Sequence, residues 1–147
     1  PKGVRNVPLE KFFVLPEVDV QRETVLARGE IVTEIRIPPP APGTRSSYRK
    51  VRARRSWDFA LAGVALALRF DGRRVVGGRV VLSGAAPVPW RSTAVEQVVQ
   101  GKELTADVIA AAAKAVTAGA EPLEKNAYKI SLFQGMIEEE LTRVAFL

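Results

Sequence analysis

Two apolar segments joined by a short polar turn constrain the fold of this chain more than any other feature. The segments are Gly63–Phe70 (GVALALRF) and Arg74–Leu82 (RVVGGRVVL), and the turn begins at Asp71-Gly72. An Asp-Gly pair favours a type I′ turn, whose two central residues both need positive φ. The sequence therefore predicts an antiparallel hairpin. The pair Gly77-Gly78 indicates a β-bulge in its second strand.

Two helices are predicted directly after the hairpin. The first spans Thr93–Gln100, where the initial threonine and Glu96 have the spacing of a capping box. The second begins after the N-cap residue Thr105 and carries an aspartate, Asp107, in its first turn. An alanine-rich stretch continues this helix until a glycine, Gly119, ends it.

A third helix is predicted over residues 128–145, with one apolar stripe typical of packing on a core. The acidic run Glu138, Glu139 and Glu140 is expected on its solvent-exposed surface. Because strands come first and helices follow, we predict an α+β domain with a small antiparallel sheet of three to four strands packed against three helices. The stripe consists of Leu132, Phe133, Met136, Ile137, Leu141 and Val144.

The N-terminal part of the chain differs in character from the rest. Residues 1–43 are predicted to form an extended lead-in and linker, and residues 44–147 the α+β domain. Alternating apolar residues predict a short strand at Ile35–Ile37. Prolines at positions 38, 39, 40 and 42 end it, since proline has no N–H to donate. The chain starts at a proline without an initiator methionine, which favours a piece of a longer protein.

A dense run of positive charge precedes the hairpin, in the stretch Tyr48–Ala60 (YRKVRARRSWDFA). Its first part, Tyr48–Arg54, is predicted to be a strand with no apolar face, lying at a sheet edge or against a charged ligand. Asp58 either caps a turn or pairs with an arginine there, or it orients Lys50 or Arg54 beside a cofactor. The cations of the run are Arg49, Lys50, Arg52, Arg54 and Arg55.

Three interpretations of this charge remain open. One is a solvated edge strand whose charges discourage edge-to-edge aggregation. Another is a site for a small anion or an electron-rich cofactor. The third is a nucleic-acid surface, but the run lacks the interleaved aromatics and the recognised motifs of that class.

The composition excludes several kinds of chemistry. The chain has no cysteine and no histidine, so a disulfide, a Cys/His zinc site and a histidine-based catalytic triad are impossible within it. The formal net charge of +6 favours an anionic partner. The longest apolar stretch, Phe59–Leu68, is too short to span a bilayer. With no secretory signal in the sequence, we expect a location in the reducing cytoplasm.

Four stretches, taken in order, resemble one protein family. They are GEIVTEIRIP, YRKVRARRSWDFALAGVALAL, SGAAPVPWRSTAVEQVVQGKEL and NAYKISLFQGMIEEEL. Together they resemble the C-terminal part of the FAD-binding medium subunit of molybdenum hydroxylases, the carbon monoxide dehydrogenase and xanthine dehydrogenase group. This resemblance implies a small α+β domain behind an N-terminal FAD-binding domain. The glycine-rich diphosphate-binding motifs of the family belong to that other domain and are missing here.

The resemblance also implies roles for individual residues. Val32 matches an apolar residue packed against the isoalloxazine ring of FAD, and Lys50 matches a lysine close to that ring. A fixed cation there favours the reduced, negatively charged flavin. Arg52, Arg54 and Arg55 fall in a segment that resembles a mobile loop beside the ring. The predicted cofactor-binding residues are thus Val32, Lys50 and Asp58.

The implied function is electron relay within an oxidoreductase, with no catalytic residue and no metal ligand in this chain. Electrons would pass from a large molybdenum subunit through an iron–sulfur small subunit to FAD, and then to an external acceptor. The expected partners are those two subunits and the N-terminal FAD-binding domain, without nucleic acid and without a transmembrane segment. The alternatives are a stand-alone basic module that binds nucleic acid and a purely structural subunit-interaction domain.

Overall fold

The computed structural model describes residues 3–54 and 57–147. The chain divides into two units, Pro1–Pro39 and Pro40–Leu147. No helix in the described part of the chain is both long and apolar enough to cross a membrane.

The smaller unit is held by turns, a β-bridge and ion pairs. A 3-10 turn, Leu9–Lys11, precedes an isolated β-bridge between Phe13 and Thr24. The Arg5 guanidinium donates two hydrogen bonds to the Glu30 carboxylate, at 2.9 and 2.7 Å. These contacts connect the two ends of the segment without a regular sheet.

The strand predicted at Ile35–Ile37 is wrong. Residues 31–40 have no regular secondary structure, and both isoleucines are exposed. A strand is stable only when a neighbouring strand accepts and donates its backbone hydrogen bonds. No such bridge is recorded for these residues in the described chain, and the prolines that follow remove further donors.

The larger unit is an α+β domain, which confirms the predicted fold class. Four strands form one antiparallel sheet in sequence order, and three helices follow. The strands are β1 (Thr44–Val51), β2 (Ala62–Asp71), β3 (Arg74–Ser83) and β4 (Trp90–Arg91), and the helices are α1 (Thr93–Val99), α2 (Ala106–Ala115) and α3 (Tyr128–Ala145). The α2 and α3 helices contact each other, α3 contacts β1 and β2, and α1 contacts β3.

The predicted hairpin is confirmed, but its turn lies one residue later than expected. Asp71 pairs with Arg74, so the two connecting residues are Gly72 and Arg73. Gly72 has a φ of +56°, and Arg73 is not among the described residues with positive φ. A glycine with positive φ at the first central position is the pattern of a type II′ turn, not the type I′ turn inferred from Asp-Gly.

The bulge predicted at the double glycine is also confirmed. Arg69 is opposite Gly77, whereas the next residue, Phe70, is opposite Val75. One extra residue, Val76, therefore lies in β3, and it changes which residues face the core. Val75 before the bulge and Val80 after it are both buried although five positions separate them.

The first helix begins differently from the prediction, because its glutamate has another partner. Ser92 is the N-cap residue of α1, and no side chain caps this helix. Glu96 Oε1 instead accepts hydrogen bonds from the Val80 backbone N–H at 3.0 Å and from Arg91 Nε at 2.9 Å. The glutamate thus ties the helix to the sheet, and the capping-box interpretation is wrong.

The second helix begins as predicted but ends at Ala115, before the predicted end at Gly119, and residues 116–119 form turns. Thr105 is the N-cap residue of α2, and its Oγ1 accepts a hydrogen bond from the Val108 N–H at 3.4 Å. The α3 bounds match the prediction, but Glu140 does not lie on the surface. Its side chain is fully buried, because it follows Met136 by one helical turn and precedes Val144 by another.

Candidate functional site

The first part of the basic run, up to Val51, lies in β1 at the edge of the sheet, as expected from its lack of an apolar face. The strand begins earlier and ends sooner than predicted, at Thr44 and Val51. Its residues alternate between two environments. Tyr48 and Lys50 point to the exposed face of the sheet, and Arg49 and Val51 are half-buried on the helix side.

The surface beside Lys50 is flat, because its neighbours on the next strand are small. Lys50 pairs with Gly63, and Tyr48 pairs with Ala65. A Cβ at Gly63 would collide with the Ser83 hydroxyl, so this position accepts no larger residue without rearrangement. Tyr48 is 61% exposed and rises beside this flat area. A planar group can therefore approach the Lys50 side chain along the sheet.

Lys50 and Asp58 are brought together by the loop that connects β1 to β2. Lys50 Nζ donates a hydrogen bond to the backbone carbonyl of Asp58 at 3.1 Å. The Asp58 carboxylate lies 3.9 Å from Arg54 Nε. The interpretation that Asp58 pairs with an arginine is therefore confirmed, and the Asp58 carbonyl also binds the lysine. A role of Asp58 beside a cofactor stays a prediction.

The same loop carries two aromatic side chains that the sequence interpretation left without a role. Trp57 has a φ of +45°, in the left-handed region that disfavours bulky residues. Trp57 is 96% exposed and Phe59 is 93% exposed. Arg54 Nη2 donates to the Trp57 carbonyl at 3.2 Å and holds this conformation. The signal in the sequence was the pair of aromatics directly after the basic run.

The cations on the helix side of the strand have structural partners. Arg49 forms an ion pair with Glu139 on α3. Arg45 Nη1 donates to the carbonyls of Val144 and Ala145 at 3.0 and 3.2 Å. Part of the positive charge that suggested an anionic ligand is therefore used to attach α3 to the sheet edge.

The structure does not bring the remaining predicted residues into this cluster. Val32 belongs to the smaller unit and is 52% exposed. Arg52 is exposed, between the end of β1 and the loop. Arg55 lies outside the described residues. The cluster that the structure brings together thus consists of Lys50, Arg54 and Asp58.

A second polar cluster, at Glu96, has a perturbed carboxyl group. Burial alone would raise the pKa of Glu96. The hydrogen bond from Arg91 and the Val80 N–H outweigh burial, so the pKa of Glu96 is lower than its ordinary value. This cluster joins β3, β4 and α1, which makes it structural.

Comparison with known proteins assigns the chain to a family. Residues 45–144 match the family described as CO dehydrogenase flavoprotein C-terminal domain. The FAD-binding subunit PaoB of an Escherichia coli K12 aldehyde oxidoreductase is 37% identical, over 90% of this chain and 38% of PaoB. The carbon monoxide dehydrogenase medium chain of Hydrogenophaga pseudoflava is 36% identical, over 84% of this chain and 41% of that protein.

A solved structure gives the same result for the fold. Carbon monoxide dehydrogenase from Hydrogenophaga pseudoflava matches with a TM-score of 0.84 and 34% identity, over 99% of this chain and 50% of the matched chain. This chain therefore spans no more than half the length of these relatives. The chain belongs to the family of CO dehydrogenase flavoprotein C-terminal domains.

Proposed function

We propose that this chain is the C-terminal part of the FAD-binding subunit of a molybdenum hydroxylase, where it completes the flavin pocket. The observation that carries the proposal is Lys50. Its ammonium group is held on the exposed, flat face of the sheet by the Asp58 carbonyl, in a chain of a flavoprotein family. Relatives named as an FAD-binding subunit and as a medium chain support it.

The described residues fit one side of a flavin. Lys50 and its cross-strand partner Gly63 place a cation next to a surface without protruding side chains. Asp58 fixes the lysine through its carbonyl. The role of half-exposed Val32 as an apolar contact of the ring rests on the family resemblance alone. The family's glycine-rich diphosphate-binding motifs lie outside this sequence, so the N-terminal FAD-binding domain holds the rest of the cofactor.

The contribution of this chain to the reaction is electrostatic. When bound, FAD supplies the redox chemistry that carries electrons from iron–sulfur clusters to an external acceptor. Lys50 favours the reduced cofactor, because a fixed positive charge stabilises negative charge that develops nearby. Arg52 and Arg54 add to the positive potential on the path by which an acceptor approaches. No residue of this chain is assigned a proton-transfer role.

The partners follow from the same assignment. Residues 1–43 are the tail of the preceding FAD-binding domain, and residues 44–147 are the domain that closes the pocket. An iron–sulfur small subunit delivers electrons, and a molybdenum large subunit oxidises the substrate. The complete enzyme operates in the cytoplasm.

The test is a substitution of Lys50 in the full-length subunit assembled with its partners. In Lys50→Met, we expect a lower midpoint potential of the flavin and a lower FAD content per subunit. Lys102→Met is the matched control, because Lys102 is also an exposed lysine. The Lys102 carbonyl accepts a hydrogen bond from the Val75 N–H, which lies at the end of the β2–β3 hairpin opposite to Gly63, the residue paired with Lys50. Potential and occupancy equal to those of the control would overturn the proposal.

A further inference from the structure

Three residues, one on each of the first three strands, lie side by side on the open face of the sheet. Gly63 on β2 is paired with Lys50 on β1 and with Ser83 on β3. The chain neighbours of the glycine, Ala62 and Val64, are fully buried in the core. Because side chains alternate along a strand, Lys50 and Ser83 point to the opposite face, away from the helices. Ser83 therefore belongs to the same surface as Lys50.

The Ser83 hydroxyl lies over Gly63. A Cβ built on the glycine would collide with Ser83 Oγ, so this oxygen takes up the place of the missing side chain. Gly63 is accordingly buried, although it lies on the open face of the sheet. A molecule that approaches the sheet beside Lys50 thus meets a hydroxyl group at this position.

This hydroxyl is free to bind a ligand. Ser83 Oγ makes no hydrogen bond within the described part of the chain, and its oxygen is accessible to solvent, unlike the fully buried Ser47 Oγ. The edge strand β4 does not cover it, because the two residues of β4 pair with Val81 and Leu82. A serine hydroxyl can donate one hydrogen bond and accept others.

The two polar groups lie on either side of the glycine. Paired residues in an antiparallel sheet have Cα atoms about 5 Å apart, which puts the Cα atoms of Lys50 and Ser83 about 10 Å apart. The Lys50 ammonium group is anchored on the Asp58 carbonyl at 3.1 Å and has only donors to offer. A planar molecule with several acceptor atoms that lies over Gly63 can therefore reach both groups.

We propose that Ser83 is a further cofactor-binding residue of the flavin site, where its hydroxyl donates a hydrogen bond to the flavin ring from the side opposite Lys50. This inference rests on the proposed function, because it takes the flavin as the planar molecule beside Lys50. A donor placed at atoms that gain negative charge on reduction stabilises the reduced form. Ser83 and Lys50 thus both raise the midpoint potential of the flavin.

The test compares serine variants of the full-length subunit assembled with its partners. In Ser83→Ala, we expect FAD to bind about five- to tenfold more weakly, the effect of one lost hydrogen bond. We also expect the midpoint potential to fall and the visible absorption bands of the flavin to shift. Ser46→Ala is the matched control, because Ser46 is exposed on the same face but pairs with Ala67, four residues further along β2 than Gly63. It should leave all three quantities unchanged.

A double variant separates the hydrogen bond from the space that the hydroxyl fills. Gly63→Ala/Ser83→Ala puts a methyl group beside the position that Oγ vacates. The new methyl then has only ordinary contacts, at 3.5 Å from the Arg49 carbonyl oxygen and 3.6 Å from the Cβ of residue 83. The surface keeps its shape but loses its donor. We expect the FAD affinity and the midpoint potential of the double variant to stay as low as those of Ser83→Ala.

Three results would overturn the inference. If Ser83→Ala matched Ser46→Ala while Lys50→Met lowered FAD content and potential, the flavin assignment would stand and Ser83 would have no part in the site. If the double variant recovered the FAD affinity of the unsubstituted subunit, Ser83 would only fill space. If Lys50→Met also had no effect, the proposed function would fail and this inference with it.

Discussion

The Arg91 guanidinium and the Glu96 carboxylate form a two-point contact, with Nη2 to Oε2 at 2.7 Å and Nε to Oε1 at 2.9 Å. The contact joins β4 to α1, and the Val80 N–H brings β3 into the same cluster. The Glu96 side chain is only 14% exposed, so water competes weakly for its oxygens.

This geometry predicts a pH-dependent contribution to stability. The pKa of Glu96 is lower in the folded chain than its ordinary value of 4.5, so its contribution is fully present above that value. The contribution is lost as pH falls through the lowered folded-state pKa, where the carboxylate takes up a proton. We expect Glu96→Gln to lower the free energy of unfolding by about 1–3 kcal/mol at pH 7. Urea denaturation from pH 7 to pH 3 should show this difference shrinking below pH 4.5.

The control for that series is Glu138→Gln, at an exposed position on α3. The free energy of unfolding of Glu138→Gln should differ little from that of the unsubstituted chain throughout the pH range. If the difference in free energy of unfolding between Glu96→Gln and the unsubstituted chain grew as the pH fell, this would contradict a lowered pKa of Glu96 in the folded chain.

Arg45 is predicted to stabilise the contact between the sheet edge and α3. Its guanidinium carbon lies 4.4 Å from the centroid of the Phe70 ring, and Nη1 binds the last carbonyls of the helix. Replacing it in Arg45→Met retains apolar volume but removes the charge and the donors. We expect the free energy of unfolding to fall by about 1–2 kcal/mol. Chemical denaturation measures this change. Arg52→Met is the control, because Arg52 is exposed, and it should leave the free energy of unfolding nearly unchanged.

Backbone strain at Trp57 predicts an unusual ranking of two small residues. At a φ of +45°, a side chain with a Cβ is disfavoured, whereas glycine adopts this conformation freely. Trp57→Gly should therefore be more stable than Trp57→Ala by about 1 kcal/mol. Thermal unfolding of both variants tests the ranking. Equal stabilities would show that the loop relaxes out of the left-handed region.

The buried Glu140 is predicted to oppose folding. Both of its carboxylate oxygens are buried and accept no hydrogen bond from the described residues, and its ion-pair partner Arg143 lies 3.5 Å away on a side chain that is 51% exposed. We expect Glu140→Leu to raise the free energy of unfolding by about 1–3 kcal/mol. As a control, Glu138→Leu at the exposed position nearby should change the free energy of unfolding little. A loss of stability in Glu140→Leu would mean that another group donates to this carboxylate.

Local patterns predicted those parts of the fold that depend on neighbouring residues. The two apolar segments around Asp-Gly, the Thr105 cap and the stripe of α3 are local signals, and each corresponds to an observed element. The position of Glu140 was also available, since it lies four residues from both Met136 and Val144. The acidic run around it indicates a surface position, whereas the helical spacing predicts burial, and the structure follows the spacing.

Other features depend on partners far away in the sequence. Glu96 matches a capping box by spacing, but its partners lie on β3 and β4. The turn of the hairpin follows from the register of ten-residue strands, and Asp-Gly alone does not fix that register. The sequence marked Lys50 by resemblance, but the contact with the Asp58 carbonyl depends on the path of the connecting loop.

The bond from Lys50 to a backbone carbonyl has an electrical consequence for this face of the protein. A carboxylate in the same place would cancel most of the field of the ammonium group, whereas an uncharged peptide oxygen anchors it and leaves the field intact. The Asp58 carboxylate lies near Arg54 Nε, at 3.9 Å, so it forms its ion pair with the arginine and not with the lysine. The conformation of the peptide backbone at position 58 therefore helps to set the positive potential that this surface presents to an anion.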